Sequence, residues 1–323
     1  MKEFLNLLGW KELIVVLFAM IMIRINIIIP FYAQWNLPAT ISWENFLIFA
    51  FGICFLLAGN NVAIKFYDEK QKVISQNKER IFNIKDYPDI IRFRGAWTVF
   101  WFVGIIATCY SFWKTNYNYY YISLMVLTLL IGYTYASRTR RILLIGNLSL
   151  ATFYSAIILS QMPHDASVLV PYTYRFPNPM AIGYNDVFSL FVFFAILVFV
   201  LTILRDITGD VTNIKDDRQK EYTTIGVKLG ENKSKIVLYL ISAIFILLIC
   251  LFLYCYKNLL GSFYIIITAA IVILPIVYYM IMLQKARKQT DFNYLYVFLS
   301  MIFISILFVI SFCKNFFING NIQ

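Results

Sequence analysis

Long apolar stretches alternate with short polar ones along this chain. Windows of about 20 apolar residues recur at roughly 13–33, 43–64, 95–113, 118–136, 142–162, 184–204, 235–256, 260–282 and 294–313. A helix rises 1.5 Å per residue, so each window suffices to cross a hydrocarbon core of about 30 Å. Nothing between the windows is large enough for a soluble domain. The expected fold is all-α: a polytopic membrane protein of about nine transmembrane helices in a single bundle, one domain over 1–323. Two polar interruptions are long, 65–94 after the second window and 205–235 after the sixth. Each follows an even-numbered span, so both reach the same side of the membrane. A common polar cavity is expected there, with each half of the bundle contributing one polar loop as in a weak internal repeat.

Composition agrees with this pattern, at 61% hydrophobic and only 14% charged residues. The net charge of +11 raises the question of nucleic acid, and the placement of the charges answers it. Lys and Arg crowd the N-terminus and the segments 65–94, 138–141, 205–235 and 285–288. The opposite side receives only Lys114, Arg175, Lys257 and Lys314, and Arg24 lies within the first span. Cytoplasmic loops of membrane proteins carry such an excess. The N-terminus and both long loops are therefore expected in the cytoplasm, at a plasma membrane of the bacterial inner type, with the C-terminus outside. The positive charge is topological, with attraction to anionic lipid added, and no nucleic-acid partner is expected. The start, MKEFLNLLGWKEL, lacks a small-residue cleavage site and reads as an uncleaved first helix. The five cysteines all fall in apolar windows without a CxxC pair, so buried thiols are expected rather than disulfides or metal ligands.

The candidate chemistry lies in Arg205–Gly230, RDITGDVTNIKDDRQKEYTTIGVKLG. Asp206, Asp210, Asp216 and Asp217 fall here, with steps of four from Asp206 to Asp210 and about seven from Asp210 to Asp217, which share one helical face, where carboxylates repel unless a cation joins them. Hard oxygen ligands suit Mg²⁺, and Mg²⁺ at a membrane suits a lipid diphosphate. Arg138, Arg140 and Arg141 form a basic cluster at a membrane mouth, placed either to pair with phosphate oxygens or to anchor the chain at the cytoplasmic face. Asn147, entering a span, either binds substrate or hydrogen-bonds a neighbouring helix.

Asp210, Asn213 and Asp217, followed by Thr224, Leu229 and Gly230, resemble the DxxDxxxD…T…LG pattern of the UbiA-type intramembrane prenyltransferases. Tyr133–Asn147, YTYASRTRRILLIGN, is similar to that family's tyrosine, basic cluster and Gly-Asn segment. The first loop departs from the family's NDxxDxxxD. Without a gap its four positions fall on Asn60, Asn61, Ile64 and Asp68; with one inserted residue they fall on Ile64, Lys65, Asp68 and Lys72. Asp68 is the sole acid in register either way.

The resemblance implies a membrane enzyme that moves a polyprenyl group from an allylic prenyl diphosphate to a hydrophobic acceptor, an aromatic quinone precursor or a lipid alcohol. Mg²⁺ is the implied cofactor, with Asp68, Asp210 and Asp217 as catalytic metal ligands. Asn60, Asn61, Lys65, Lys72, Tyr133, Arg138, Arg141, Asn147, Asp206 and Asn213 are the implied substrate contacts. A lysine at a former acid position would neutralise diphosphate as a point charge instead. Because the first motif is degraded, a protein that binds lipid diphosphate or regulates without transferring it is the alternative; a transporter is disfavoured by the one-sided placement of the polar residues. The 23 Tyr and 30 Phe offer faces to an allylic cation, although interfacial belts and lipid contact are their commoner use. His164 is expected in an external loop without a site role. Arg24 is expected to snorkel, pair with an acid or touch substrate, and Asp86 and Asp89 to form a turn around Pro88.

Overall fold

The computed structural model describes residues 2–34, 41–76, 88–114, 119–166 and 184–314. Every element among them is helical: α1 Lys2–Leu8, α2 Trp10–Gln34, α3 Trp43–Gln76, α4 Pro88–Lys114, α5 Tyr119–Ser137, α6 Ile145–Ala166, α7 Tyr184–Thr212, α8 Ile214–Gln219, α9 Ile225–Cys255, α10 Leu260–Lys285 and α11 Gln289–Ser311. With no water to satisfy backbone groups in hydrocarbon, apolar segments of this length close their hydrogen bonds internally as helices. By length and composition, seven of these helices are fit to cross a membrane: α2, α3, α4, α7, α9, α10 and α11. The expected fourth and fifth spans are represented by α5, whose described apolar part Leu124–Ser137 is shorter, and by α6 of 22 residues. The chain is an integral membrane protein.

Two helices run far past their apolar windows. α3 continues for 34 residues to Gln76, roughly 50 Å at 1.5 Å per residue, and α7 carries on to Thr212. The described residues of the expected loops 65–94 and 205–235 are therefore largely helical, because hydropathy marks where the hydrocarbon ends and not where the helix does. α3 delivers Asp68, and α7 delivers Asp206 and Asp210, on rigid turns beyond the apolar core. Residues 77–87, with Asp86, lie outside the described residues, as do 167–183 and the side chain of Asp89.

α7 is the most buried span, with 67% of its most apolar window inside the protein, followed by α3 with 61%. A large core surrounds α7 with Phe191, Phe194, Phe245, Tyr279 and Phe292. A smaller one joins α3 to its neighbours through Phe46, Phe49, Phe112 and Phe153. Lipid tails are as apolar as these side chains, so close packing rather than the hydrophobic effect holds the bundle.

Arg24 does not snorkel out of the bundle. It is buried at the first turn of a π-helical segment in α2, where Nη2 donates to the Ile41 carbonyl at 2.5 Å and the guanidinium lies over the Trp43 and Phe46 rings. His164 sits inside α6 rather than in a loop, stacked on Phe49 and 2.7 Å from the Ser111 hydroxyl. All five cysteines are free, but only Cys313 is buried; Cys109, Cys250 and Cys255 are exposed on the helix surfaces.

Candidate functional site

Asp206 and Asp210 stand one turn apart at the end of α7, as the i, i+4 spacing requires. Asn147, buried at the start of α6, donates Nδ2 to Oδ2 of both, at 2.8 Å to Asp206 and 3.1 Å to Asp210. Of the two roles expected of it, the hydrogen bond to a neighbouring helix is present. Gly146 makes this entry possible. A Cβ there would lie 2.9 Å from the Thr139 carbonyl oxygen and 3.0 Å from Arg140 Cα, so glycine lets the 3₁₀ turn Thr139–Arg141 close onto α6.

That turn aims Arg140 at α3. Its Nη1 donates to Asp68 Oδ2 at 2.6 Å, the Tyr222 hydroxyl donates to Asp68 Oδ1 at 2.8 Å, and Lys220 Nζ lies 3.9 Å from Oδ2. Burial lowers the pKa of the Arg140 guanidinium, but Tyr135, Asp68 and Tyr222 more than reverse this, so it holds its proton above the usual arginine range. The two polar segments expected to share a cavity thus meet at Asp68.

The chain from α7 to α9 folds tightly around Asp217. Just past the end of α8 stands Glu221, a non-glycine residue in the left-handed region with φ 59°, whose turn returns the Tyr222 N–H to the Asp217 carbonyl at 2.9 Å. Thr224 caps the approach, its Oγ1 donating to Asp217 Oδ2 at 3.0 Å. At Gly226 a Cβ would collide with the Asp210 carbonyl, so only glycine lets the start of α9 abut the end of α7. Burial raises the Asp217 carboxyl above the usual carboxylate range, opposed by the Thr224 hydrogen bond and by Arg140 and Lys220.

These groups line a polar cavity of about 270 Å³ walled by Asp206, Asp210, Asp217, Arg140, Tyr135, Tyr222, Thr224, Asn293 and Tyr296. Tyr296 of α11 also walls a second cavity of about 450 Å³, lined by apolar side chains of α2, α7 and α11 such as Val15, Ile23, Phe194, Val198 and Met301. Such volumes are on the scale of small-molecule sites, roughly 300–1,000 Å³.

A polar, acid-lined cavity thus lies beside an apolar one. The sequence profile of the UbiA prenyltransferase family matches residues 25–307. The chain belongs to the UbiA prenyltransferase family. Among curated proteins none matches the sequence. Solved UbiA structures share the fold with it, among them the following. A digeranylgeranylglyceryl phosphate synthase in membranes is 18% identical, with a TM-score of 0.63 over 97% of this chain and 98% of that one. A UbiA homologue from Aeropyrum pernix K1 is 16% identical, with a TM-score of 0.57 over 92% and 97%. A UbiA homologue from Archaeoglobus fulgidus bound to GPP and Mg²⁺ is 14% identical, with a TM-score of 0.54 over 95% and 99%.

In this UbiA-family chain the sequence-derived residues separate into groups. Asp206, Asp210, Asn213 and Asp217 line the polar cavity, and Asn147 and Asp68 bond directly to groups in its wall. Asn60 is buried two turns before Asp68, its Oδ1 without a hydrogen-bond partner. Asn61 donates instead to the Leu8 carbonyl at 3.0 Å, fastening α1. Lys65 pairs with Glu69 at 2.8 Å on an exposed face, and Lys72 is exposed farther along α3. Tyr133 is exposed beside Trp97 and Trp101, and the neighbouring Tyr135 takes the cavity wall. Arg138 is exposed, and the Arg141 side chain lies outside the described residues. Tyr135, Tyr222, Lys220 and Tyr296 were not singled out by the sequence reading, and only the aromatic-basic character of Tyr133–Arg141 hinted at the first.

Among the described residues no group of three or more His, Cys, Asp or Glu is arranged to hold a metal by itself. Mg²⁺ is commonly bound by one or two carboxylates with waters and substrate phosphate oxygens. The residues fit that need, because a single amide nitrogen is shared by the converging oxygens of Asp206 and Asp210, with Asp217 on the same cavity wall. Asp68 is less available, both of its oxygens being engaged by protein donors.

Proposed function

We propose that this chain transfers a prenyl group from an allylic prenyl diphosphate to a hydrophobic acceptor with the help of Mg²⁺. The observation that carries the reading is the junction at Tyr296 of an acid-lined polar cavity with a larger apolar one, which matches the two ends of a prenyl diphosphate. The A. fulgidus UbiA homologues bound to GPP or DMAPP with Mg²⁺ support it.

Asp206, Asp210 and Asp217 would hold the cation, which when bound supplies charge neutralisation to the departing diphosphate. Arg140 and Lys220 stand ready to pair with phosphate oxygens, Arg140 with the planar fork suited to them. The Tyr135 and Tyr222 hydroxyls add donors, and the Tyr296 ring stands where the first prenyl carbon passes into the apolar cavity, its face available to an allylic cation. The surrounding apolar walls exclude water from that cation.

A second reading, binding of lipid diphosphate without transfer, is favoured by the engagement of Asp68, which leaves one carboxylate cluster rather than two. An assay of purified protein with labelled prenyl diphosphates, with and without Mg²⁺, across phenolic, lipid-alcohol and other hydrophobic acceptors separates the two. Mg²⁺-dependent diphosphate release with a prenylated product is expected. Stoichiometric binding without release would replace the transferase reading by the second.

We further propose that the polar cavity faces the cytoplasm. Single cysteines at Lys65 and Lys215, both exposed on this side, should react with an impermeant thiol reagent only from the cytoplasm, and one at Lys257, at the other end of α9, only from outside. The test uses a chain whose native cysteines are replaced, and the reverse pattern would invert the orientation.

A further inference from the structure

The apolar cavity contains one polar device that the diphosphate chemistry does not use. Glu12, near the start of α2, accepts a hydrogen bond from the Tyr154 hydroxyl at 2.9 Å and lies 3.5 Å from Arg205 Nη2. The Arg205 guanidinium is in turn packed among the Tyr154, Tyr296 and Phe303 rings at 5.4 to 6.0 Å from their centroids. Charged groups at an apolar wall are costly unless paired or open to water, and here Glu12 pairs with Arg205 while its own side chain is 35% exposed. Among the described residues Glu12 is the one carboxylate lining this cavity, and Arg205 precedes Asp206, so α7 turns one residue toward each cavity.

A second, independent observation lies deeper on the same wall. Thr202 is fully buried and lines the cavity, yet its hydroxyl has no hydrogen-bond partner. Thr108, Thr128, Thr208 and Thr212 each donate back to the carbonyl four residues earlier, the usual refuge of a helical threonine. Thr202 precedes Asp206 by four residues, about 6 Å along the helix axis. An unpaired buried hydroxyl one turn from the diphosphate cavity is a place for a ligand's polar atom.

We propose that Glu12 is the proton acceptor for the nucleophile of the transfer, and that the acceptor is a hydroxyl compound held by Thr202 in the apolar cavity. The inference rests on the transferase reading above. The bond from the first prenyl carbon to the diphosphate oxygen breaks, and its electron pair leaves with the diphosphate. The acceptor oxygen gives a lone pair to that carbon, and its proton passes to the Glu12 carboxylate, leaving a neutral ether. A protonated ether is a strong acid, so an ionised carboxylate in place suffices and no strong base is needed. Arg205 and Tyr154 are positioning residues that hold Glu12 toward the cavity.

The test follows how the prenyl group is divided between acceptor and water. Full-length wild-type, Glu12→Gln, Glu12→Asp and Thr202→Val proteins are given a labelled allylic prenyl diphosphate with either a long-chain lipid alcohol or a hydrophobic phenol, and ether product and free prenyl alcohol are counted. Glu12→Gln is expected to lower the ratio of ether to prenyl alcohol about 100-fold, the usual range for a lost general base being 10²–10⁴. Glu12→Asp should recover part of that ratio, and Thr202→Val should raise KM for the acceptor with little change in kcat. The two acceptors tell which source of hydroxyl is used. An unchanged ratio in Glu12→Gln, or wild-type protein that releases diphosphate but prenylates neither hydroxyl, overturns this inference alone. Wild-type protein that releases no diphosphate overturns the proposed function, and this inference with it.

Discussion

Replacing Asp210 by alanine should lower Mg²⁺-dependent diphosphate release by at least about 10³-fold, since lost electrostatic stabilisation of a leaving group commonly costs 10²–10³ and here a cation ligand goes as well. Asp210 shares the Asn147 amide with Asp206, its backbone carbonyl is held against Gly226, and its carboxylate faces the polar cavity. No neighbour can take its place, because Asp206 is one turn deeper and Asp217 is tied to Thr224. Initial rates over a Mg²⁺ titration measure the effect, and Asp210→Asn separates charge from shape. Asp216, exposed on α8 and absent from the cavity wall, is the control, and its alanine variant should stay within about twofold of wild type. An Asp210→Ala protein within tenfold of wild type would remove the α7 acids from the reaction.

The second large effect is expected at Arg140, and it reverses the emphasis that the motif alone places on Asp68. Arg140→Gln should reduce kcat/KM for the prenyl diphosphate by about 10²–10³, the loss of a charge-assisted phosphate contact in a water-poor site. Asp68→Asn should cost less than Arg140→Gln, since it frees a guanidinium that now rests on a carboxylate 2.6 Å away. Lys65→Gln and Lys72→Gln should remain within about twofold, both side chains being exposed. The Mg²⁺ dependence discriminates the roles. If Asp68→Asn shifted the Mg²⁺ requirement strongly while Arg140→Gln stayed near normal, Asp68 would regain the place of a metal ligand.

The bundle and its acid-rich end were legible because both rest on local rules. Apolar runs of span length have few structures open to them, and Asp206 and Asp210 at i, i+4 share a face in any helix. The helix ends were not legible: Phe66–Gln76 is polar enough to read as loop, yet it stays helical because its backbone bonds are already closed. The Tyr133 and Tyr135 pair shows a second limit. Two aromatics two residues apart point to different faces, and only the packing of Trp97 and Trp101 against Tyr133 tells which one turns outward. Asp68 and Arg140 are separated by 72 residues, and Glu12 and Tyr154 by 142, so no spacing rule connects either pair. The charge of Glu12, immediately before a run of apolar side chains, looked like an ordinary end of a span.

Arg24 pins one end of the first span. Its guanidinium ties α2 to Ile41, Trp43 and Phe46 at the end of the span remote from the acids, and pulling it into hydrocarbon without those partners costs roughly 3 kcal/mol or more. That end of the first span is a fulcrum. Were α2 to move against α11, the end free to swing would be the opposite one, which carries Glu12.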